Sequence, residues 1–419
     1  MPEPTSAVTL LSKETDTSAS AGGGGAAPAS LMRQLLRCDL ELNPFMCVYI
    51  GLCHVLALHA LVTLLCPRLV EGALLWADAL ASGMLGFAAP MAAWAAATPV
   101  KPATLWFAFW LWPVSGLGIT AGAHRLWSHR SYEAHPLLKL FLVLCNSLAN
   151  QGSIYHWARD HRTHHLHSDT SKDPHDSTRG WFYSHMGWLL VRKPQEVVDA
   201  GRQVDLSDLR KDALVMFQKR ADPWWNMFWC FVVPAIAARA LWGDTLWNGF
   251  LFAGVLRYVW VLHCTWSVNS IVHTYGSSPY APEHPPCESG LVAFLAIGEG
   301  WHSWHHAFAF DYATSELGCL QQWNPTKAFI DAMALMGLAS GLKRGTGLWK
   351  ARKELWEKRL AGSGKCLREG LRGPPLFRVR TVEEVPIDSH SDSDSASPSP
   401  SASPSSVRPR SRRAFGCLS

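Results

Sequence analysis

Eight of the nineteen histidines in this 419-residue chain fall into three short clusters: His124 and His129 in AHRLWSH, His161, His164 and His165 in DHRTHH, and His302, His305 and His306 in WHSWHH. Imidazole suits borderline divalent metals, so eight of them grouped in this way point to a metal centre, with two metals the economical count. Zinc fits less well. A structural zinc ion is satisfied by four ligands that usually include Cys, and none of the eleven Cys shows CxxC spacing. Residues three and four apart share one face of an α-helix, so His161, His164 and His165 project together, and so do His302, His305 and His306. His124 and His129 are five apart, which a regular α-helix does not bring to one face. That pair is expected at a helix end, or divided between two metals. Isolated His54, His59 and His263 read as packed structural residues.

The elements that carry these clusters read as membrane helices. The chain is 48% hydrophobic and holds 21 Trp, a residue enriched at the edges of bilayers. A span needs roughly 20 apolar residues, and four stretches qualify, near 45–66, 104–123, 224–242 and 246–266. A fifth, 72–97, is Ala-rich and carries Asp78; it fits an interfacial or re-entrant helix as well as a span. Arg and Lys are dense between His124 and Arg220 and again from Lys343 to Arg380. The positive-inside rule then places both regions, both termini and all three clusters on the cytosolic side.

Residues 1–40, with a run of four Gly, and residues 346–419, basic and then Ser/Pro-rich, read as disordered tails around a membrane domain at 41–345. No cleaved secretory signal is expected, because the first apolar run follows about forty polar or Gly/Ala-rich residues. The unpatterned Cys read as reduced and buried. A net charge of +5 is mild, and the basic clusters suit lipid, phosphate or an acidic protein better than nucleic acid.

The strings GITAGAHRLWSHRSY, HWARDHRTHHLHSDTSKDPHDSTRGWFYSHMGWLLVRKP and GEGWHSWHHAFAFDYATSE resemble the membrane-bound acyl-CoA desaturases of the stearoyl-CoA delta-9 type. The resemblance implies an all-α membrane protein, a stalk of four transmembrane helices with a cytosolic helical cap that holds a di-iron centre. It implies that the eight clustered histidines ligate two iron ions, that His273 in NSIVH is a ninth, and that Asn269 reaches one iron through water. Asp160, Asp169, Asp173, Glu299 and Asp311 lie near the clusters and are the carboxylates available to orient the ring nitrogens.

For substrate, the resemblance implies a thioester headgroup at the cytosolic surface and an acyl chain in a closed apolar tunnel. Arg159, Arg192 and Lys193 match positions that meet CoA phosphates, Trp157 matches a headgroup contact, and Gln151, Thr265 and Trp266 match residues that bend the chain. Gly152 stands where the family commonly has Asn. Trp112, counted back from His124 without a gap, falls near the inner end of the tunnel and is expected to shorten it. The implied reaction inserts a cis double bond, at delta-9, into a saturated acyl-CoA with O2. No iron–sulfur Cys pattern, GxGxxG loop or HPGG haem motif occurs in the chain, so electrons must come from a partner, in this family cytochrome b5 with its NADH-dependent reductase. The location implied is the endoplasmic reticulum membrane. A membrane di-iron hydroxylase of lipids is the alternative activity, because it can share the same metal shell.

Overall fold

The computed structural model describes residues 40–65, 99–280 and 286–362. The apolar stretch 72–97 and most of both tails lie outside the described residues. The chain forms helices α1 (Pro44–Leu65), α2 (Pro102–Ser128), α3 (Pro136–Ala149), α4 (Ile154–His167), α5 (Gln195–Gln203), α6 (Trp224–Trp242), α7 (Leu246–Ser270), α8 (Gly290–Leu295), α9 (His302–Ala307), α10 (Pro325–Leu335) and α11 (Thr346–Gly362). Four of them, α1, α2, α6 and α7, are long and apolar enough to cross a membrane. Their outward faces leave Val48, Val55, Leu58, Trp106, Trp110, Ile236 and Leu241 exposed, as helices surrounded by lipid tails require.

Polar residues inside this bundle satisfy backbone groups that the helices leave over. Asp244, in the turn between α6 and α7, accepts from the backbone N–H of Lys101 at 3.1 Å and from the Thr104 hydroxyl, tying down the start of α2. Arg257, buried on α7, donates to the carbonyls of Ala253 (3.1 Å), Leu148 (2.7 Å) and Cys230 (2.9 Å). Leu148 belongs to the last turn of α3, whose carbonyls lack helical partners, and Cys230 lies where α6 widens into i→i+5 winding over Phe228–Val232. An unpaired guanidinium in a bilayer is costly. Here three carbonyl dipoles receive it.

Two departures from regular winding position the histidines. From Gly118 to Ser128 α2 winds with i→i+5 hydrogen bonds, a rare form found mostly at functional sites. It does so against α3, where a Cβ at Gly118 would lie 2.0 Å from the Asn146 nitrogen. Only glycine permits that approach. Between α3 and α4 the axis then turns by 83°, through Asn150 at φ 48° and Gly152 at φ 81°. The break aims the DHRTHH face of α4 at the end of α2. Beneath it Leu126, Trp127, Leu138, Leu142, Ile154 and Ile330 form the largest apolar core. A two-stranded antiparallel ribbon, Glu133–Ala134 with Ala339–Ser340, joins the segment after α2 to the chain beyond α10.

Helix α11 begins at residue 346, where the sequence places the start of the C-terminal tail. Trp349 on α11 is buried against Tyr280 (5.2 Å between ring centroids), Phe308 and Trp304. One large aromatic side chain anchors a segment of otherwise basic composition.

Candidate metal centre

Nine imidazoles from α2, α4, α7, α9 and their ends converge into two groups, one of His124, His129, His161, His165 and His305, the other of His164, His273, His302 and His306. Within each group the ligand atoms lie within 4.8 Å of one another. The i, i+3, i+4 spacing of α4 does not send its three histidines to one place: His161 and His165 face the first group and His164 the second. Likewise His305 on α9 joins the first group while His302 and His306 join the second. Each helix therefore serves both groups. His124 and His129 meet in one group, which overturns the reading that divides them between two metals. The His129 N–H bonds the His124 carbonyl at 3.1 Å: in i→i+5 winding, residues five apart share a face, and His129 sits where the helix ends.

The orientation of the rings identifies what the centre can hold. His124 turns Nδ1 to Glu299 (2.9 Å), His164 to Asp173 (2.8 Å) and His273 to Asp169 (3.1 Å). A carboxylate accepts, so each Nδ1 carries the proton and each Nε2 presents a lone pair inward. Those Nε2 atoms meet others head-on: His124 and His305 at 3.0 Å, His273 and His302 at 3.1 Å, His164 and His306 at 3.3 Å. Burial, then mutual repulsion, holds His129, His161, His165, His302, His305 and His306 well below the usual imidazole range, so these rings are neutral and each keeps one nitrogen lone pair to offer a metal. Nitrogen atoms converging at these separations suit a cation between them. Two metal ions with nitrogen preference fit the two groups.

The carboxylates behind the rings supply the negative charge that a neutral ligand shell leaves out. Burial raises the carboxyls of Glu299, Asp169 and Asp173, yet their cationic or hydrogen-bonding partners outweigh it and hold all three below the usual carboxylate range. Burial depresses His164, but Asp173 more than reverses this and raises it. Two carboxylates expected to orient rings do not. Asp160 pairs with Arg159 (2.9 Å) and Lys193, and Asp311 accepts from the Trp304 indole (3.1 Å), the Gly345 N–H (2.9 Å) and Arg344 (3.0 Å), holding α9 and the start of α11 from behind. Nearness in sequence did not distinguish these roles.

Other supports went unread in the sequence. Arg125, fully buried, donates to Glu299 (2.7 and 3.0 Å) and to the carbonyls of Tyr312 (3.0 Å) and Ala313 (3.2 Å). Arg162 binds Asp208 (2.7 Å) and the carbonyls of Trp127 (2.7 Å) and Ser128 (3.0 Å), pinning α4 to the end of α2. The available signal was their place inside the motifs AHRLWSH and DHRTHH, where two arginines sit among residues that would hold metal cations. His54 and His263, read as isolated, are linked to each other at 3.1 Å, and His263 to His185 at 2.9 Å.

An apolar cavity opens beside both groups, lined by His124, His161, His164 and His302 and by Trp112, Gly116, Leu295 and Ile297. Along α7 its wall is Val261, Cys264, Thr265, Val268 and Asn269, one helical face. Thr265 accepts from Gln151 at 2.8 Å, joining this wall to the α3–α4 bend. Trp157 lines the cavity and stacks on His161 at 4.9 Å, whereas Trp266 is buried behind it against His54 and His263. Trp112 turns its indole inward, donating to the Leu295 carbonyl at 3.3 Å. A second, polar pocket holds Arg159, Lys193, Arg202 and Arg210 with Asp160. Arg192 is not part of it: its guanidinium is largely exposed and pairs with Glu41 at 3.1 Å.

Residues 101–324 match the family model "Fatty acid desaturase". The chain is 46% identical over 264 residues to "Stearoyl-CoA desaturase 5" of Bos taurus, covering 63% of this chain and 76% of that one. It is 50% identical over 240 residues to "Acyl-CoA desaturase" of Cyprinus carpio (56% and 73%). It is 47% identical over 270 residues to "Acyl-CoA Delta-9 desaturase" of Acheta domesticus (64% and 75%).

Proposed function

Because the chain belongs to the fatty acid desaturase family, we propose that it is an acyl-CoA desaturase that inserts a cis double bond at delta-9, with two irons held by its nine histidines. The observation that carries this reading is the apolar cavity lined both by the clustered histidines and by Trp112. Such a cavity holds an extended apolar chain with two of its methylenes beside the metals. The overall change is –CH2–CH2– + O2 + 2e⁻ + 2H⁺ → –CH=CH– + 2H2O. Bound irons would supply the oxidising chemistry; the chain's own residues supply position and a dry site. The Gln151–Thr265 bond places a polar step in the apolar wall, at the α3–α4 bend, where an acyl chain must turn. Trp157 holds His161 by stacking, and Asn269 presents an amide to the same space.

In this reading the polar pocket takes the CoA phosphates on Arg159 and Lys193, with Arg202 and Arg210 adding charge. Guanidinium forks match phosphate oxygens. Arg192, next in sequence to Lys193 but paired with Glu41 outside the pocket, would act on the phosphates only through longer-range attraction. Cytochrome b5, reduced from NADH, delivers the electrons to the basic face, which suits an acidic carrier. The protein lies in the endoplasmic reticulum membrane with the metal centre and both ends in the cytosol.

Mass spectrometry of fatty acids from a desaturase-deficient host expressing this chain tests the reading, with delta-9 monoenes expected. Hydroxylated acids in their place would establish the alternative oxygenation. Arg159→Ala and Lys193→Ala are each expected to raise the KM for acyl-CoA roughly 10-fold while leaving kcat within a few-fold, as loss of uniform binding far from the chemistry requires. An equal fall in kcat at saturating substrate would instead assign them to support of the metal ligands. Trp112→Ala is expected to shift the product ratio toward longer chains at unchanged iron content, because each methylene admitted to an apolar pocket gains about 0.8 kcal/mol. An unchanged ratio would remove Trp112 from the tunnel's end.

A further inference from the structure

Helix α8 both borders the cavity and carries exposed apolar side chains. Its last residue, Leu295, lines the cavity together with Ala296 and Ile297, while Leu291 and Phe294 in the same helix are 63% and 51% exposed. Beside it the turn 317–323, LGCLQQW, leaves Leu317, Leu320 and Trp323 exposed, Leu320 at 99%. Residues 289–298 and 317–326 contain no Asp, Glu, Lys or Arg. A contiguous apolar patch without charges is not a water-facing surface.

The patch is continuous with a lipid-facing helix. Phe109, on the exposed side of α2, lies 6.0 Å from Trp112; Trp112 lies 6.0 Å from Phe294; and Phe294 lies 6.0 Å from Trp323. Trp106 and Trp110 extend that exposed side along α2, one of the four helices able to span a bilayer. An unbroken aromatic path therefore runs from the span to α8 and the 317–323 turn, and Trp is the side chain that settles at the edge of a membrane.

We propose that α8 and the turn 317–323 are immersed in the edge of the bilayer, so that lipid, rather than water or a protein partner, covers Leu291, Phe294 and Leu320. The lipid contact does not depend on what the cavity holds. Benzoylphenylalanine introduced at Leu320, and separately at Leu291, in the full chain in phosphatidylcholine nanodiscs tests it on irradiation. Both side chains are exposed, so neither substitution removes a packed group. Phospholipid adducts at both positions, several-fold above those from the same probe at exposed Lys172, are expected. Lipid labelling no greater than at Lys172, or cross-links to a second polypeptide chain, would overturn it.

Discussion

His164→Ala is expected to leave the purified protein with less than two irons per chain and to lower turnover by at least about 100-fold. Substitutions of groups that merely orient a metal ligand already cost 10–100-fold in metal affinity or activity. This change also strips buried Asp173 of its 2.8 Å partner in a pocket where His175 is the remaining imidazole, at 3.5 Å. Iron analysis and turnover on the same preparation measure both effects. His54→Ala, which removes a histidine from outside both groups, is expected to keep both irons. Full iron content in the His164 variant would mean that the second group does not need all four of its nitrogens.

Arg125→Met is expected to destabilise the protein by on the order of 3–5 kcal/mol, the cost of breaking a buried ion pair by removing one partner. Glu299 would keep only His124 as a charged or polar side-chain partner at short range, and the carbonyls of Tyr312 and Ala313 would lose their donor. The thermal midpoint of the detergent-solubilised protein is the measurement. Arg125→Met combined with Glu299→Gln is expected to recover part of the loss, since the uncompensated charge is then gone, while leaving His124 poorly oriented and iron binding weak. A midpoint unchanged by Arg125→Met alone would show that Glu299 is neutral in the folded protein.

The parts of this architecture that follow local rules were legible in the sequence. Hydrophobic length marked four spans near their observed bounds, and clustering of histidine marked eight of the nine imidazoles that converge. His273 came only through family resemblance, because a single histidine four residues from an Asn has no local signature, and its partner Asp169 lies 104 residues away. The division of each triplet between two groups was not legible, since shared-face geometry says which residues point alike and not what stands opposite them. Asp160 and Asp311 show the same limit from the other direction: both sit beside histidines in sequence, yet stronger partners, Lys193 and Arg159 for one and Arg344 with the Trp304 indole for the other, claim them. Helix α11 was hidden because one Trp among Lys, Arg and Glu carries its attachment.

The i→i+5 winding of α2 also fixes how this chain tolerates insertion and deletion. Removing one residue between Gly118 and His124 offers the segment a way back to ordinary α winding, and every side chain beyond the cut then changes phase by about 100° relative to those before it. Substitutions that preserve length leave the phase untouched, however much they alter packing. His124, Arg125 and His129 all lie after the sensitive stretch, and all three depend on facing α4 and Glu299. Across related chains, gaps should therefore fall in the loops flanking α2, while the number of residues from Gly118 to His129 stays constant even where their identities do not.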